Sequence, residues 1–293
     1  MILLADSGST KTDWCFVEQG ELVEKVHTKG INPFFQTTEE IVKEISNTLV
    51  PHFEDKHVDA VYFYGAGCAF PEKNQLVIDA LSRFLDCPIE VGSDLLAVAR
   101  SLCGHKKGIA CIIGTGSNSC YYDGENIVDN VSPLGFILGD EGSGAVLGKA
   151  LVGDCLKNQL PPHVCEAFFK QFDITRAEIL DKVYKKSFPN RFLASLSPFL
   201  LQHIDEPSVR SLVEEHFTRF FKRNVMQYDY KSHSVHLVGS IAYYYQDILR
   251  KVASSLGIQL VQIVKSPMEG LLAYHSTTSA PKTMCKKQTI NHE

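Results

Sequence analysis

Two turns rich in glycine and hydroxyl side chains, each closing an apolar strand, constrain this chain more than any other feature. The first lies in Ile2-Leu-Leu-Ala-Asp6-Ser-Gly-Ser-Thr-Lys-Thr-Asp13, the second in Ile109-Ala-Cys-Ile-Ile-Gly114-Thr-Gly-Ser-Asn-Ser119. Glycine lets the backbone turn tightly and approach an anion, and Ser and Thr offer hydroxyl and N–H donors to phosphate oxygens. Gly8, Ser9, Thr10, Lys11 and Thr12 in the first turn, and Gly114, Thr115, Gly116 and Ser117 in the second, are therefore candidates to hold a polyphosphate. Lys11 adds a positive charge. One such turn alone is ordinary β-turn chemistry; two in matching surroundings point to a clamp.

The surroundings do match. After the first turn come an apolar stretch (Leu22 to His27), a helix, the strand Val58 to Tyr64 closed by Gly65-Ala-Gly67, another helix, and the strand Pro88 to Val91. After the second come Tyr121-Tyr-Asp-Gly-Glu, Asn126-Ile-Val, a long helical stretch, and Ser234-Val-His-Leu-Val238 closed by Gly239-Ser240. A helix from Ile241 to Leu256 and a strand from Ile258 to Val264 complete the copy. Self-similarity on this scale predicts two α/β halves of one architecture around a cleft. The predicted domains are residues 1–103 and 104–266, with a last helix at about 267–276 packing back on the first and a flexible polar tail at 277–293. Between 141 and 227 amphipathic segments follow one another (Arg176 to Lys185, Phe192 to Ile204, Val209 to Met226), which predicts a helical insertion in the second domain.

A length of 293 residues with 44% apolar content suffices for two cores. The net charge of −5 provides no basic face, which argues against nucleic acid as a partner. No apolar run approaches the ~20 residues that span a bilayer, and Asp6 interrupts a stretch too short for a signal-peptide core, so a soluble cytoplasmic protein is expected. Nine scattered cysteines, an odd number, suit reduced core thiols better than a disulfide framework.

Three acidic positions invite chemistry. Asp94, in Val91-Gly-Ser-Asp-Leu-Leu, follows a strand end and opens an apolar helix. There it can cap the helix, act as a general base toward an acceptor hydroxyl, or do both. Asp6, at the end of the first strand, can hold Mg²⁺ directly or through water, or bond within its own loop. Asp140 and Glu141, flanked by glycines just before a helix, can cap that helix or accept hydrogen bonds from a hydroxyl-rich ligand such as a sugar.

Asp6-Ser-Gly-Ser-Thr-Lys-Thr, Gly114-Thr-Gly-Ser, Gly139-Asp-Glu-Gly-Ser143 and Val238-Gly-Ser240, in this order and spacing, resemble the BadF/BadG/BcrA/BcrD-type ATPases of the actin, Hsp70 and sugar-kinase superfamily. Among these the chain looks most like the N-acetylglucosamine kinases, over about residues 1 to 275. The resemblance implies two ribonuclease-H-like, actin-like ATPase domains and ATP with Mg²⁺. The two turns would take the phosphates, and Gly239 and Ser240 would lie beside the adenosine. It implies Asp94 as the base toward the 6-hydroxyl of an amino sugar, with Asn32, Thr115, Gly135 and Asp140 as further sugar contacts, and a homodimer. The alternative is an ATPase of the same type without sugar kinase activity, a sensor or an activator component. The chain departs from the family in having Ser7 and Ser9 where glycine is usual. Leu134 stands where the animal N-acetylglucosamine kinases have Trp, and Pro133 where they have Gly.

Overall fold

Residues 1–8, 11–53 and 56–277 are described by the structure, a computed structural model. Ser9, Thr10 and the tail from residue 278 lie outside the described residues. The chain divides into two units, one formed by Met1–Ala97 with the residues from Met268, the other by Val98–Pro267.

The first unit opens with an antiparallel meander of β1 (Ile2–Ser7), β2 (Lys11–Glu18) and β3 (Glu21–Lys29). It continues through α1 (Thr38–Thr48), β4 (Ala60–Gly65), α2 (Pro71–Leu81), β5 (Ile89–Ser93) and α3 (Asp94–Cys103), and the division between units falls within α3. Its sheet runs β3-β2-β1-β4-β5, with β1, β4 and β5 parallel. β1 and β4 are near-continuous apolar runs because both faces of the sheet centre are covered. The edge strand β3 alternates instead, with Val26 and Thr28 buried and Lys25, His27 and Lys29 exposed. α1 starts with a capping box between Thr37 and Glu40 and buries Ile41 and Ile45, and α2 starts with Pro71 at its first turn. α13 (Met268–Thr277) belongs to this unit: Met268 and Leu271 cluster with Leu4, Cys15 and Tyr62. The His275 ring lies 3.9 Å from that of Tyr62, and its Nε2 shares a 2.9 Å hydrogen bond with Tyr64 Oη.

The second unit repeats the plan. β6 (Gly108–Ile113), β7 (Ser117–Tyr122) and β8 (Ile127–Asp129) form the meander, and β9 (Val235–Val238) and β10 (Leu260–Val264) complete a sheet of order β8-β7-β6-β9-β10. Strand for strand this is the topology of the first sheet, so the internal repeat read from the sequence is real. Between the meander and β9 lie a short α4 (Gly135–Leu138) and then six helices with no strand between them: α5 (Gly144–Leu156), α6 (Pro162–Phe172), α7 (Arg176–Tyr184), α8 (Pro189–Leu196), α9 (Pro198–Gln202) and α10 (Pro207–Arg223). Phe168, Phe199, Phe217, Phe220 and Phe221 are fully buried among them, each worth about 1.5–3 kcal/mol of burial.

Two segments read as single helices are in fact broken. Phe192 to Ile204 divides at Ser197, because Pro198 cannot donate the backbone hydrogen bond a continuous helix needs. Ile241 to Leu256 divides into α11 (Ser240–Tyr244) and α12 (Gln246–Ser255) at Tyr245. That buried ring packs edge-on to Phe217, and its hydroxyl donates to Ser197 O at 2.7 Å, so a tertiary tether sits at the break. Among the described residues no helix is long and apolar enough to cross a membrane, and all eight cysteines are free.

Candidate active site

Parallel register brings Ser7 level with Gly65, and Gly65 level with Ser93. The carboxyl ends of β1, β4 and β5 therefore carry Asp6, the Gly65–Cys68 turn and Asp94 together, at the end of the sheet where open α/β folds bind ligands. Ser7 and Thr12 are fully buried. Their hydroxyl oxygens lie 2.7 Å apart; Ser7 Oγ donates to Ile31 O at 2.9 Å and Thr12 Oγ1 to Lys29 O at 3.2 Å. Ile31 N–H points back at both hydroxyls, at 3.0 and 3.2 Å. The Thr12 hydroxyl is thus committed within the protein, and Ser7, one of the two serines that replace glycine, anchors the turn to the segment bearing Asn32. Gly8 is exposed at the tip, its N–H donating to Lys11 O at 3.0 Å.

Asn32 Oδ1 accepts from Phe34 N at 3.0 Å, which leaves the amide Nδ2 for a ligand. Gly67 has φ +83°, and a Cβ there would lie 2.4 Å from Asn32 Oδ1, so the glycine after β4 makes room for the asparagine. Asp94 opens α3 as expected. Ser93 Oγ accepts from Leu96 N at 3.1 Å, and Asp94 Oδ1 accepts from Leu95 N at 2.8 Å. Capping occupies one carboxylate oxygen and fixes the direction of the other, so the two roles considered for Asp94 are compatible.

In the second unit, Gly114 O accepts from Gly144 N at 2.8 Å and Thr115 O from Ala145 N at 3.1 Å. The orphan N–H groups that begin α5 are thereby spent on holding the turn. A Cβ at Gly114 would meet nothing within 4 Å, whereas one at Gly116 would press on the Asp140 carboxylate at 3.1–3.3 Å. Neither Asp140 nor Glu141 caps α5, because Ser143 Oγ accepts from Val146 N at 3.2 Å. Asp140 Oδ1 accepts from Ser117 N at 3.1 Å. Glu141 pairs with Arg223 and accepts from Asn224 Nδ2 at 3.3 Å. Of the two adjacent carboxylates, then, Glu141 ties the loop to α10 and Asp140 lies against the second turn. Gly135 (φ +72°) opens α4, shortly before Asp140, and a Cβ there would meet open space. Gly239 has φ +122°, and a Cβ on it would lie 2.4 Å from Ile113 O, so the end of β9 presses directly on the Gly114 turn. Ser240 follows, exposed, as the first residue of α11.

Burial, the neighbouring Asp94 charge and Asp13 together push the Asp6 carboxyl up to about 6. Burial also raises Asp94, opposed by the Leu95 N–H, and raises Asp140, opposed by the Ser117 N–H. A buried carboxylate at the end of β1, with the Asp94 charge nearby, fits Mg²⁺, a cation that takes one or two carboxylates and fills its shell with water and phosphate oxygens, and Asp6 is the candidate ligand.

Asp13 is the residue that sequence reading missed. It stands opposite Asp6 on one side and His27 on the other, and its carboxylate contacts Lys11 Nζ at 3.0 Å, Lys25 Nζ at 3.4 Å and His27 Nδ1 at 2.6 Å. Burial pushes it up, yet hydrogen bonds from Lys11 and His27 and the Lys25 charge hold it below the ordinary carboxylate range. The ammonium of Lys11 is therefore shared with Asp13. The signal was the two-residue period of β2, which puts Lys11 and Asp13 on one face.

The chain matches no family model and no curated protein. Among solved structures it is 50% identical to a Porphyromonas gingivalis protein provisionally named N-acetylglucosamine kinase, over 94% of this chain and 99% of that one, with a TM-score of 0.91. A Chromobacterium violaceum protein with the same provisional name is 18% identical over 94% and 99% of the two chains, with a TM-score of 0.72. A ROK family protein of Streptococcus pneumoniae, solved in complex with sucrose, is 12% identical over 93% and 98%, with a TM-score of 0.54. These last two share the fold.

Proposed function

The chain belongs to the actin, Hsp70 and sugar-kinase superfamily, in the family of its Porphyromonas relative, and on that footing we propose that it is an ATP-dependent kinase of an amino sugar, N-acetylglucosamine at its 6-hydroxyl. One observation carries the reading. Two sheets of the same topology bear glycine-hydroxyl turns at equivalent strand ends, and the first of them also presents Asp94 at a strand-to-helix junction.

Phosphoryl transfer runs through a loose transition state, in which positioning and charge neutralisation dominate. In this proposal Asp94, oriented by the Leu95 N–H, holds the acceptor hydroxyl and takes its proton late. Asn32, Thr115, Gly135 and Asp140 orient the sugar. Gly8 to Lys11 and Gly114 to Ser117 bind the phosphates, with Ser9 and Thr10 assigned from the sequence alone, Thr12 anchors the first turn from beneath instead of touching the ligand, and Gly239 and Ser240 adjoin the adenosine. Bound Mg²⁺ supplies charge neutralisation on the phosphates, with Asp6 as its protein ligand. The BadF/BadG-type assignment and a cytoplasmic location belong to the same proposal.

Coupled ADP release over a panel of hexoses and N-acetyl sugars tests it. ADP release that depends on an N-acetyl sugar and matches the sugar phosphate formed is the expected result, whereas hydrolysis indifferent to every sugar would leave the ATPase alternative. Gly114→Ala sharpens the phosphate assignment. The new methyl enters open space, so the melting temperature stays within about 1 °C, as for a surface change. ATP affinity falls about tenfold, because the methyl stands where the phosphate approaches. Unchanged affinity by calorimetry would make the loop an ordinary turn.

A further inference from the structure

Lys11 brings the positive charge of the first turn, and its side chain is 65% exposed. A long exposed lysine spreads over many rotamers, so a charge needed at one spot has to be held there. Lys29 stands directly opposite it on β3, a like charge that offers no anchor. Asp13 does: it lies on the same face of β2 two residues on, with Oδ1 3.0 Å and Oδ2 3.2 Å from Lys11 Nζ. These contacts take at most two of the three ammonium donors and leave one for a phosphate oxygen. The carboxylate is itself fixed. It is 8% exposed, His27 directly opposite meets Oδ1 through Nδ1 at 2.6 Å, and Lys25, the neighbour of His27 on that face of β3, lies 3.4 Å from Oδ2. With its charge met by Lys25 and by the His27 hydrogen bond as well as by Lys11, Asp13 repels an arriving phosphate little.

We propose that Asp13 is a positioning residue for phosphoryl transfer: it holds the Lys11 ammonium at the first turn, where the transferring phosphate passes, while His27 and Lys25 fix Asp13 from the edge strand. The inference rests on the kinase reading above and extends it to a group that meets the phosphate only through Lys11. The transition state is stabilised by charge held in fixed positions, so losing the tether costs rate. Ground-state binding is spared, because taking a negative charge from beside an anion does not weaken its attraction to the remaining cations.

Coupled ADP release with Mg²⁺-ATP and N-acetylglucosamine, alongside calorimetry with Mg²⁺ and a non-hydrolysable ATP analogue, tests this on the full chain. Asp13→Asn should lower kcat about tenfold and bind the analogue at least as tightly as the wild type. Lys11→Met should lower kcat about a hundredfold and weaken the analogue as well. The double variant should be no slower than Lys11→Met alone, because Asp13 acts through that ammonium. A merely structural Asp13 would instead weaken the analogue and add its own loss of kcat to that of Lys11→Met. Either result, or an unchanged kcat in Asp13→Asn, overturns the proposal. His27→Ala, at an edge position 55% exposed, keeps the test open should Asp13→Asn not fold. It should cost about threefold in kcat, leave analogue binding as it is, and cost nothing further in the Lys11→Met background; an unchanged kcat there overturns the proposal too. Wild-type turnover in Lys11→Met would sink the positioning role and leave the kinase reading standing. A wild type that releases no ADP in response to the sugar removes the kinase reading and this role with it.

Discussion

Asp94→Asn is expected to lower kcat on the sugar substrate by ~10²–10⁴, the usual contribution of a general base, equal to about 3–5 kcal/mol of barrier. The amide keeps the size of the side chain and an oxygen for the Leu95 N–H, so the start of α3 and the affinity for ATP stay as they are. The pH profile gives a second reading. A base works only when ionised, and burial raises the Asp94 carboxyl. In the wild type, kcat/KM should therefore fall as pH drops, with its acid limb above the ordinary carboxylate value of about 4. Stopped assays of turnover across pH, with ATP affinity measured separately, check both. Turnover unaltered in the variant would remove Asp94 from the mechanism.

Gly148→Ala should destabilise the protein by roughly 2–4 kcal/mol, within the range of overpacking and backbone clashes. Helix propensity alone says the opposite, since Ala is favoured over Gly by about 1 kcal/mol in a helix interior. In the folded chain, however, α5 crosses α8 at this glycine, and a Cβ on it would lie 1.9 Å from Leu193 O and 2.6 Å from its carbonyl carbon. Backbone cannot rotate aside as a side chain can, so α8 must move off and loosen the buried Leu193 and Leu196. Gly153→Ala on the same helix is the control. Its Cβ would meet nothing within 4 Å, and it should gain about 0.5–1 kcal/mol. Thermal melts of the two variants should move in opposite directions, and a stabilised Gly148→Ala would contradict the close crossing.

Much of the fold was legible because its signals are local. Apolar runs at Ile2 to Ala5 and Ile109 to Ile113 read as buried strands, and the turns after them as a repeated unit. The structure bears out each of these. Asp94 at its strand-to-helix junction was readable for the same reason: its place depends on the residues beside it. Pro198 was equally visible in the sequence, and weighing its missing N–H would have divided Phe192 to Ile204 correctly.

By itself, then, the sequence determined the strands, the duplicated plan and the turns that carry glycine and hydroxyls. Each follows from periodicity and turn chemistry within a few neighbours. Only the tertiary structure decided that Ser143 rather than Asp140 caps α5, that Asp140 meets Ser117, and that Lys11 shares its charge with Asp13. It alone distinguished Gly148, which another helix touches, from Gly153, which nothing touches. The physical reason is common to all of these. Hydrogen bonds, ion pairs and steric limits act over a few ångströms of space, and which distant segments come within that range is set by how the sheets and helices pack.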